Sequence, residues 1–201
     1  MSDITVSGRL GEAVLGLLAS TPSTRETRSE TPRAAARSAA NHAAAKAALA
    51  AGSLALPPGP LGWLTLLPEL ITVWRIQAQM VADIAALYGS AHAPSREEML
   101  YCLFRHTAAQ AVRDLGVRLG ERLARQASAQ LLQKVAGQIG VKLSQRALGK
   151  GLARWLPIIG AMGVGAYAWY DTGQVAATAI ELFESAARDA RPPDGELVPD
   201  A

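Results

Sequence analysis

Pro68-Glu69-Leu70-Ile71-Thr72-Val73-Trp74-Arg75-Ile76-Gln77-Ala78-Gln79-Met80-Val81-Ala82-Asp83-Ile84-Ala85-Ala86-Leu87-Tyr88-Gly89 is the stretch on which the fold turns. Its polar residues Glu69, Thr72, Gln79 and Asp83 follow at steps of 3, 7 and 4, which is one stripe of a helix. Apolar side chains fill most of the remaining circumference, so the helix belongs at the centre of a bundle. Pro68 suits a first turn, where its missing amide costs nothing, and Gly89 suits a stop. A helix from about Pro68 to Tyr88 is the expectation.

Reading outward, Ala34 to Ala51 is dominated by alanine, the best helix former, and should end near Gly52. Leu56-Pro57-Pro58-Gly59-Pro60 cannot continue it, because proline lacks the amide donor and clashes with the preceding turn. Downstream, Ser95-Arg96-Glu97-Glu98 has the form of a capping box and predicts a helix to about Leu115. Helical pattern resumes over 118–135, breaks near Gly137–Gly140, and returns over 141–154. Trp155-Leu156-Pro157 opens a last helix, carried to about Arg188. Leu10, Val14, Leu15, Leu17 and Leu18 suggest a short helix within the first 20 residues. The period-2 alternation of strands is nearly absent. The chain therefore reads as all-α, a single bundle of about five to seven closely packed Gly/Ala-rich helices. Residues 1–33 read as an N-terminal segment and flexible linker, 34–190 as the helical domain and 191–201 as a disordered tail.

Half of the 201 residues are hydrophobic but only 5% are aromatic, so the core must be built from Ala, Leu, Val and Ile. A net charge of +3 does not by itself argue for nucleic acid. Its distribution says more: Arg96 to Arg154 holds eleven Lys/Arg against four Asp/Glu, whereas acids dominate from Glu181 onward. Lys142, Arg146, Lys150 and Arg154 form one stripe at helical spacing, and Arg118, Arg122 and Arg125 form another. Each is either a solvated face or a contact for anionic lipid headgroups. Aromatic residues are not interleaved with these bases, and no nucleic-acid partner is expected. Met1-Ser2-Asp3-Ile4-Thr5 lacks a basic region followed by an apolar run, so no signal peptide is expected. The expected location is cytoplasmic, with peripheral association at the inner face of the membrane as the further expectation. The oligomeric state is open.

Small residues recur on two faces. Gly116, Gly120 and Ala124 form one row, and Ala161, Gly165, Ala168, Thr172 and Ala176 form the other. Such rows let helices approach closely, within a bundle or within a membrane. Trp155 to Tyr170 is free of charge for sixteen residues before Asp171 interrupts it. A full span needs roughly 20 apolar residues, so this is no convincing span, and peripheral or partial insertion stays open. Trp63, Trp74, Trp155, Ala161, Gly165 and Trp169 are the candidates for apolar contact or for lining a ligand pocket. Arg75, Gln79 and Asp171 are the candidate buried polar groups, with Arg75 as a partner for Asp171.

Chemistry-bearing signatures are sparse. Glu98, Cys102 and His106 share a helix face at i, i+4 and i+8, which suits a nucleophile pair or a metal-binding trio. No second Cys/His cluster completes such a site, and a structural role is the simpler reading. Gly160-Ala161-Met162-Gly163-Val164-Gly165 does not follow a strand, and no Gly-Lys-Ser/Thr occurs, so no phosphate loop is expected. Neither a metal nor a cofactor is expected. Cys102 is the sole cysteine, which excludes an intramolecular disulfide.

Two stretches together resemble the EcsC family of bacterial proteins. The first is Ile76-Gln77-Ala78-Gln79-Met80 leading to Ile84-Ala85-Ala86-Leu87-Tyr88-Gly89. The second is Leu156-Pro157-Ile158-Ile159-Gly160-Ala161-Met162-Gly163, followed by Asp171-Thr172 and Val175. The chain is also similar to the GTPase-associated helical membrane domain, which has its own Gln/Met-rich helix ending in Tyr-Gly. The resemblance implies a helical, membrane-associated accessory protein and supplies no catalytic residues. A non-enzymatic protein that associates peripherally with a membrane or membrane machinery is the leading expectation. The alternatives are a bundle that binds a lipid or other hydrophobic ligand, and an enzyme using the Cys102/His106 face.

Overall fold

The computed structural model describes residues 2–54, 62–105, 133, 136–138 and 157–190. Among these the chain is all-α and contains no strand. Helix α1 spans Ser2–Ala19, α2 Pro32–Leu54, α3 Gly62–Leu87, α4 Arg96–Phe104 and α5 Pro157–Asp189. Gln133 and residues 136–138 are helical too, so the break expected near Gly137–Gly140 does not begin at Gly137. The rest of the helices expected over 118–135 and 141–154 lies outside the described residues, as does the tail.

The central helix begins earlier than its proline suggested. Pro68 lies inside α3, which starts at Gly62. A proline costs one ladder hydrogen bond and crowds the preceding turn. The apolar run Trp63-Leu64-Thr65-Leu66-Leu67 nevertheless continues the helix through it. The other end stops where expected. Gly89 takes φ +82°, its amide donates to the Ala86 carbonyl at 2.8 Å, and the Ser90 amide reaches the Ala85 carbonyl at 3.0 Å. This is a Schellman ending, which needs the left-handed residue that glycine supplies. The capping box at Ser95 is complete: Ser95 Oγ accepts from the Glu98 amide, and the Ser95 amide donates to Glu98 Oε2 at 2.7 Å.

Two buried rows of small side chains set the packing. On α2, Ala36, Ala43, Ala44, Ala47 and Ala51 are buried, and on α5, Ala168, Thr172, Ala176 and Ala179 are buried. Of the two rows read from the sequence, the α5 row thus meets another helix of the same chain. A Cβ placed on Gly165 would come within 3.0 Å of the Ala48 carbonyl oxygen. Glycine at that point lets the two backbones touch. The Gly116/Gly120/Ala124 row lies outside the described residues, as does the side chain of Ala161.

The larger side chains gather on the other side of α3. Met80, Val81 and Ile84 of α3 pack with Met99, Leu100, Leu103 and Phe104 of α4 and with Val14 and Leu18 of α1. Each such burial stabilises the fold by roughly 1.5–3 kcal/mol. Trp74 is closed into this core, its ring edge-on to Phe104 at 5.3 Å between centroids. It presents no surface for a ligand.

The segment between α1 and α2, expected as a flexible linker, is tied along α3. Thr24 Oγ1 donates to Asp83 Oδ1 at 2.7 Å, Gln79 Nε2 to the Ser23 carbonyl at 3.0 Å, and the Ser29 amide to the Leu87 carbonyl at 3.0 Å. The polar stripe of α3 is therefore the seat of this strap, a use that its periodicity alone does not reveal.

Candidate functional site

The helix directions create two unlike ends. Val73 of α3 packs with Ala168 of α5, Gln77 bonds to Asp171 and Thr172, and the Tyr88 hydroxyl feels the charges of Glu184 and Arg188. Rising residue numbers on α3 thus meet rising numbers on α5, and the two helices run together. Helix α2 runs against them, with Ala48 beside Gly165 and Arg33 near Tyr88. The C-terminal end of α2 and the N-terminal ends of α3 and α5 therefore share one pole.

That pole carries little charge: the ends of α2 and α5 have none, and α3 has Glu69, one turn nearer the pole than the Val73 that packs with Ala168. Residues 47–54 of α2, 62–68 of α3 and 157–170 of α5 contain no Asp, Glu, Lys or Arg. Its rim is aromatic. Tyr167, Trp169 and Tyr170 are 46%, 47% and 63% exposed, and Leu49 on α2 is 75% exposed. At about 100° per residue the three rings fan around one turn of α5 rather than forming a stripe along it. They occupy a single level, within roughly 5 Å of helix rise. Lys46 and Arg75 are exposed near this level. Tyr and Trp suit a boundary between apolar and wet surroundings, because each has an apolar body and a polar handle.

Just inside the rim lies a polar cluster. Gln77 is fully buried, and its Nε2 donates to Asp171 Oδ2 at 2.8 Å and to Thr172 Oγ1 at 3.2 Å. The Gln77 Oε1 atom is buried without a partner. Asp171, expected to be a buried acid paired with Arg75, is half-buried and paired with Gln77. Arg75 is exposed, not buried. It sits between Thr72 and Gln79 on the polar stripe, about 200° around the helix from Gln77. Gln79, also expected to be buried, is half-buried and serves the strap and Asp83. Gln77 was the residue to single out: it is a polar side chain inside the apolar arc, one turn from Trp74 and Val81.

The small-residue row does not line a cavity at Gly165, which is closed against Ala48, or at Thr172, which is fully buried. Cys102 is fully buried, and burial first and then the Glu98 carboxylate push its thiol well above the ordinary range. A nucleophile or metal ligand needs the thiolate, which this environment disfavours. No group of three His, Cys, Asp or Glu suited to a metal occurs among the described residues. His106, Trp155 and the bases Arg118, Arg122, Arg125, Lys142, Arg146, Lys150 and Arg154 lie outside them, as does the side chain of Trp63.

Leu70–Leu87 is long and apolar enough by composition to cross a membrane, but 56% of it is buried in the bundle, as a core helix would be. Comparison with known proteins finds no family model, curated protein or solved structure that matches the chain.

Proposed function

We propose that this protein is a non-enzymatic helical module that docks end-on, and peripherally, on an anionic membrane surface. The observation that carries the reading is the uncharged pole with its exposed aromatic rim at Tyr167, Trp169 and Tyr170. Exposed aromatics at one level fit a lipid–water interface, where rings lie among the headgroups. The uncharged start of α5 would enter the outer part of the bilayer. Its rise from Pro157 to Ala166 is about 15 Å, roughly half the ~30 Å hydrocarbon core. Lys46 and Arg75 would meet anionic headgroups, each contributing about 1 kcal/mol. The resemblance to EcsC and to the GTPase-associated helical membrane domain supports the same reading, with the inner face of the membrane as the place.

Flotation tests it. The protein is expected to rise with phosphatidylcholine vesicles containing phosphatidylglycerol, and less with phosphatidylcholine alone. A Tyr167→Ser, Trp169→Ser, Tyr170→Ser variant should stay at the bottom of the gradient while keeping its helical circular dichroism. Equal flotation of this variant and the parent protein would remove the aromatic rim from the account. Absence of binding to either vesicle would remove the lipid reading.

A further inference from the structure

The opposite pole holds an open cleft of about 1330 Å³ where the strap, the end of α3 and the end of α5 meet. Arg28, Arg33 and Arg188 line it. Among the described residues the ion pair formed is Arg105–Glu181, so none of these three guanidiniums has a carboxylate partner. Arg28 is laid over Gly89: its Cδ is 2.9 Å from where a Cβ on that residue would stand. The left-handed glycine both ends α3 and leaves room for the arginine.

The start of α2 opens into the same cleft through Thr31, Pro32, Arg33 and Ala34. A helix N-terminus carries partial positive charge and favours an acid in its first turn. This one has no acid there and an arginine instead. Its own side chain thus adds to the positive end of this 23-residue helix, while Glu30 just before it and the partially negative C-terminal ends of α3 and α5 share the same cleft.

A second observation points to a ligand independently. Tyr88 lines the cleft and is 8% exposed, yet its hydroxyl has no hydrogen-bond partner. The charged groups around that hydroxyl are Glu184, Arg33, Arg37 and Arg188. A buried hydroxyl without a partner is costly, and a ligand that accepts its proton relieves the cost. Glu98, also in the lining, is already engaged by the Ser95 amide. Glu30 and Glu184 remain as acceptors for donor groups on the ligand, and Leu87 and Phe183 offer apolar contact.

We propose that this cleft binds a small organic molecule through an oxyanion, either a phosphate or a carboxylate. Arg28, Arg33 and Arg188, the Arg33 amide at the start of α2 and the Tyr88 hydroxyl are its donors, since Pro32 has no amide proton and the Ala34 and Ala35 amides are bonded to the Thr31 carbonyl. The site is separate from the membrane-facing pole, and vesicle binding does not depend on it.

Titration of the full chain with inorganic phosphate and, separately, with acetate, followed by amide NMR against a chloride control, tests the proposal. One of the two anions should shift the amides of Arg33, Ala34 and Gly89 saturably, and the tighter of them assigns the chemistry. Arg33→Gln should weaken binding about tenfold. Tyr88→Phe should weaken it about threefold without loss of stability, since it removes only the unpartnered hydroxyl. Shifts absent with both anions, or equalled by chloride, overturn the proposal. Binding that is indifferent to Tyr88→Phe also overturns it, marking an adventitious ion only.

Discussion

The two ends of this bundle are made by the same three helices and differ in almost every physical respect. At one end, α2 and α5 carry no charge and α3 carries Glu69, and aromatic rings stand exposed around one turn. At the other, the same helices present Arg33, Arg37, Glu184 and Arg188, the strap crosses with Arg28 and Glu30, and a cleft opens. The lesson is that hydrophobicity in this chain is segregated along the helix axes as well as around them. A core explains an apolar face; it does not explain an apolar end with large side chains left in the open. An uncharged end with exposed rings suits an apolar or interfacial partner, as proposed above, whereas a charged end suits water and polar ligands.

The contrast can be broken first at the apolar pole. Gly165→Leu would drive a side chain into the Ala48 carbonyl and separate α2 from α5. A loss of about 3 kcal/mol, at the upper end for overpacking, is expected in urea unfolding. An unchanged midpoint would mean that the helices are not held there by close contact.

A smaller effect should come from two buried titratable groups, one in the core and one at the charged pole. Cys102 and Tyr88 both have pKa values raised, chiefly by burial and next by the nearby carboxylates Glu98 and Glu184. Each is neutral when protonated, so the folded state holds these protons more tightly than the unfolded state. Their stabilisation is complete below the unfolded pKa, about 8.5 for the thiol, and is lost as pH rises above it. The thiol alone should cost about 2 kcal/mol by pH ~10. Cys102→Ala should flatten this alkaline slope in unfolding measured from neutral to alkaline pH. A slope that persists undiminished would show that the thiol is not the group responsible.

Local features were legible in the sequence because their partners are a few residues apart. The capping box needs only Ser95 and Glu98, and the stop at Gly89 needs only the last turn of α3. The row Ala168, Thr172, Ala176 was legible as a close-packing face, and its partner helix was not. Pairings across the fold were opaque: Gln77 and Asp171 are 94 positions apart. The local pattern does separate the two candidates, since 3.6-residue periodicity places Arg75 on the outer stripe and Gln77 inside the apolar arc, but it does not say which distant acid Gln77 meets. The cleft was invisible for the same reason, because it is assembled from four separate stretches of the chain. The uncharged pole required both sources: each run is visible in the sequence, but only the antiparallel course of α2 brings the three runs to one end.

The most direct test of that pole compares its depth in a membrane with that of the opposite end. Nitroxide labels can be placed singly through Tyr170→Cys and Ser185→Cys on a Cys102→Ala background. With vesicles containing phosphatidylglycerol, the label at position 170 should gain collisions with oxygen and lose them with a water-soluble nickel chelate. The label at position 185 should remain as accessible to the chelate as it is without vesicles. Shielding of position 185 instead, or identical behaviour at both positions, would contradict end-on docking through the uncharged pole.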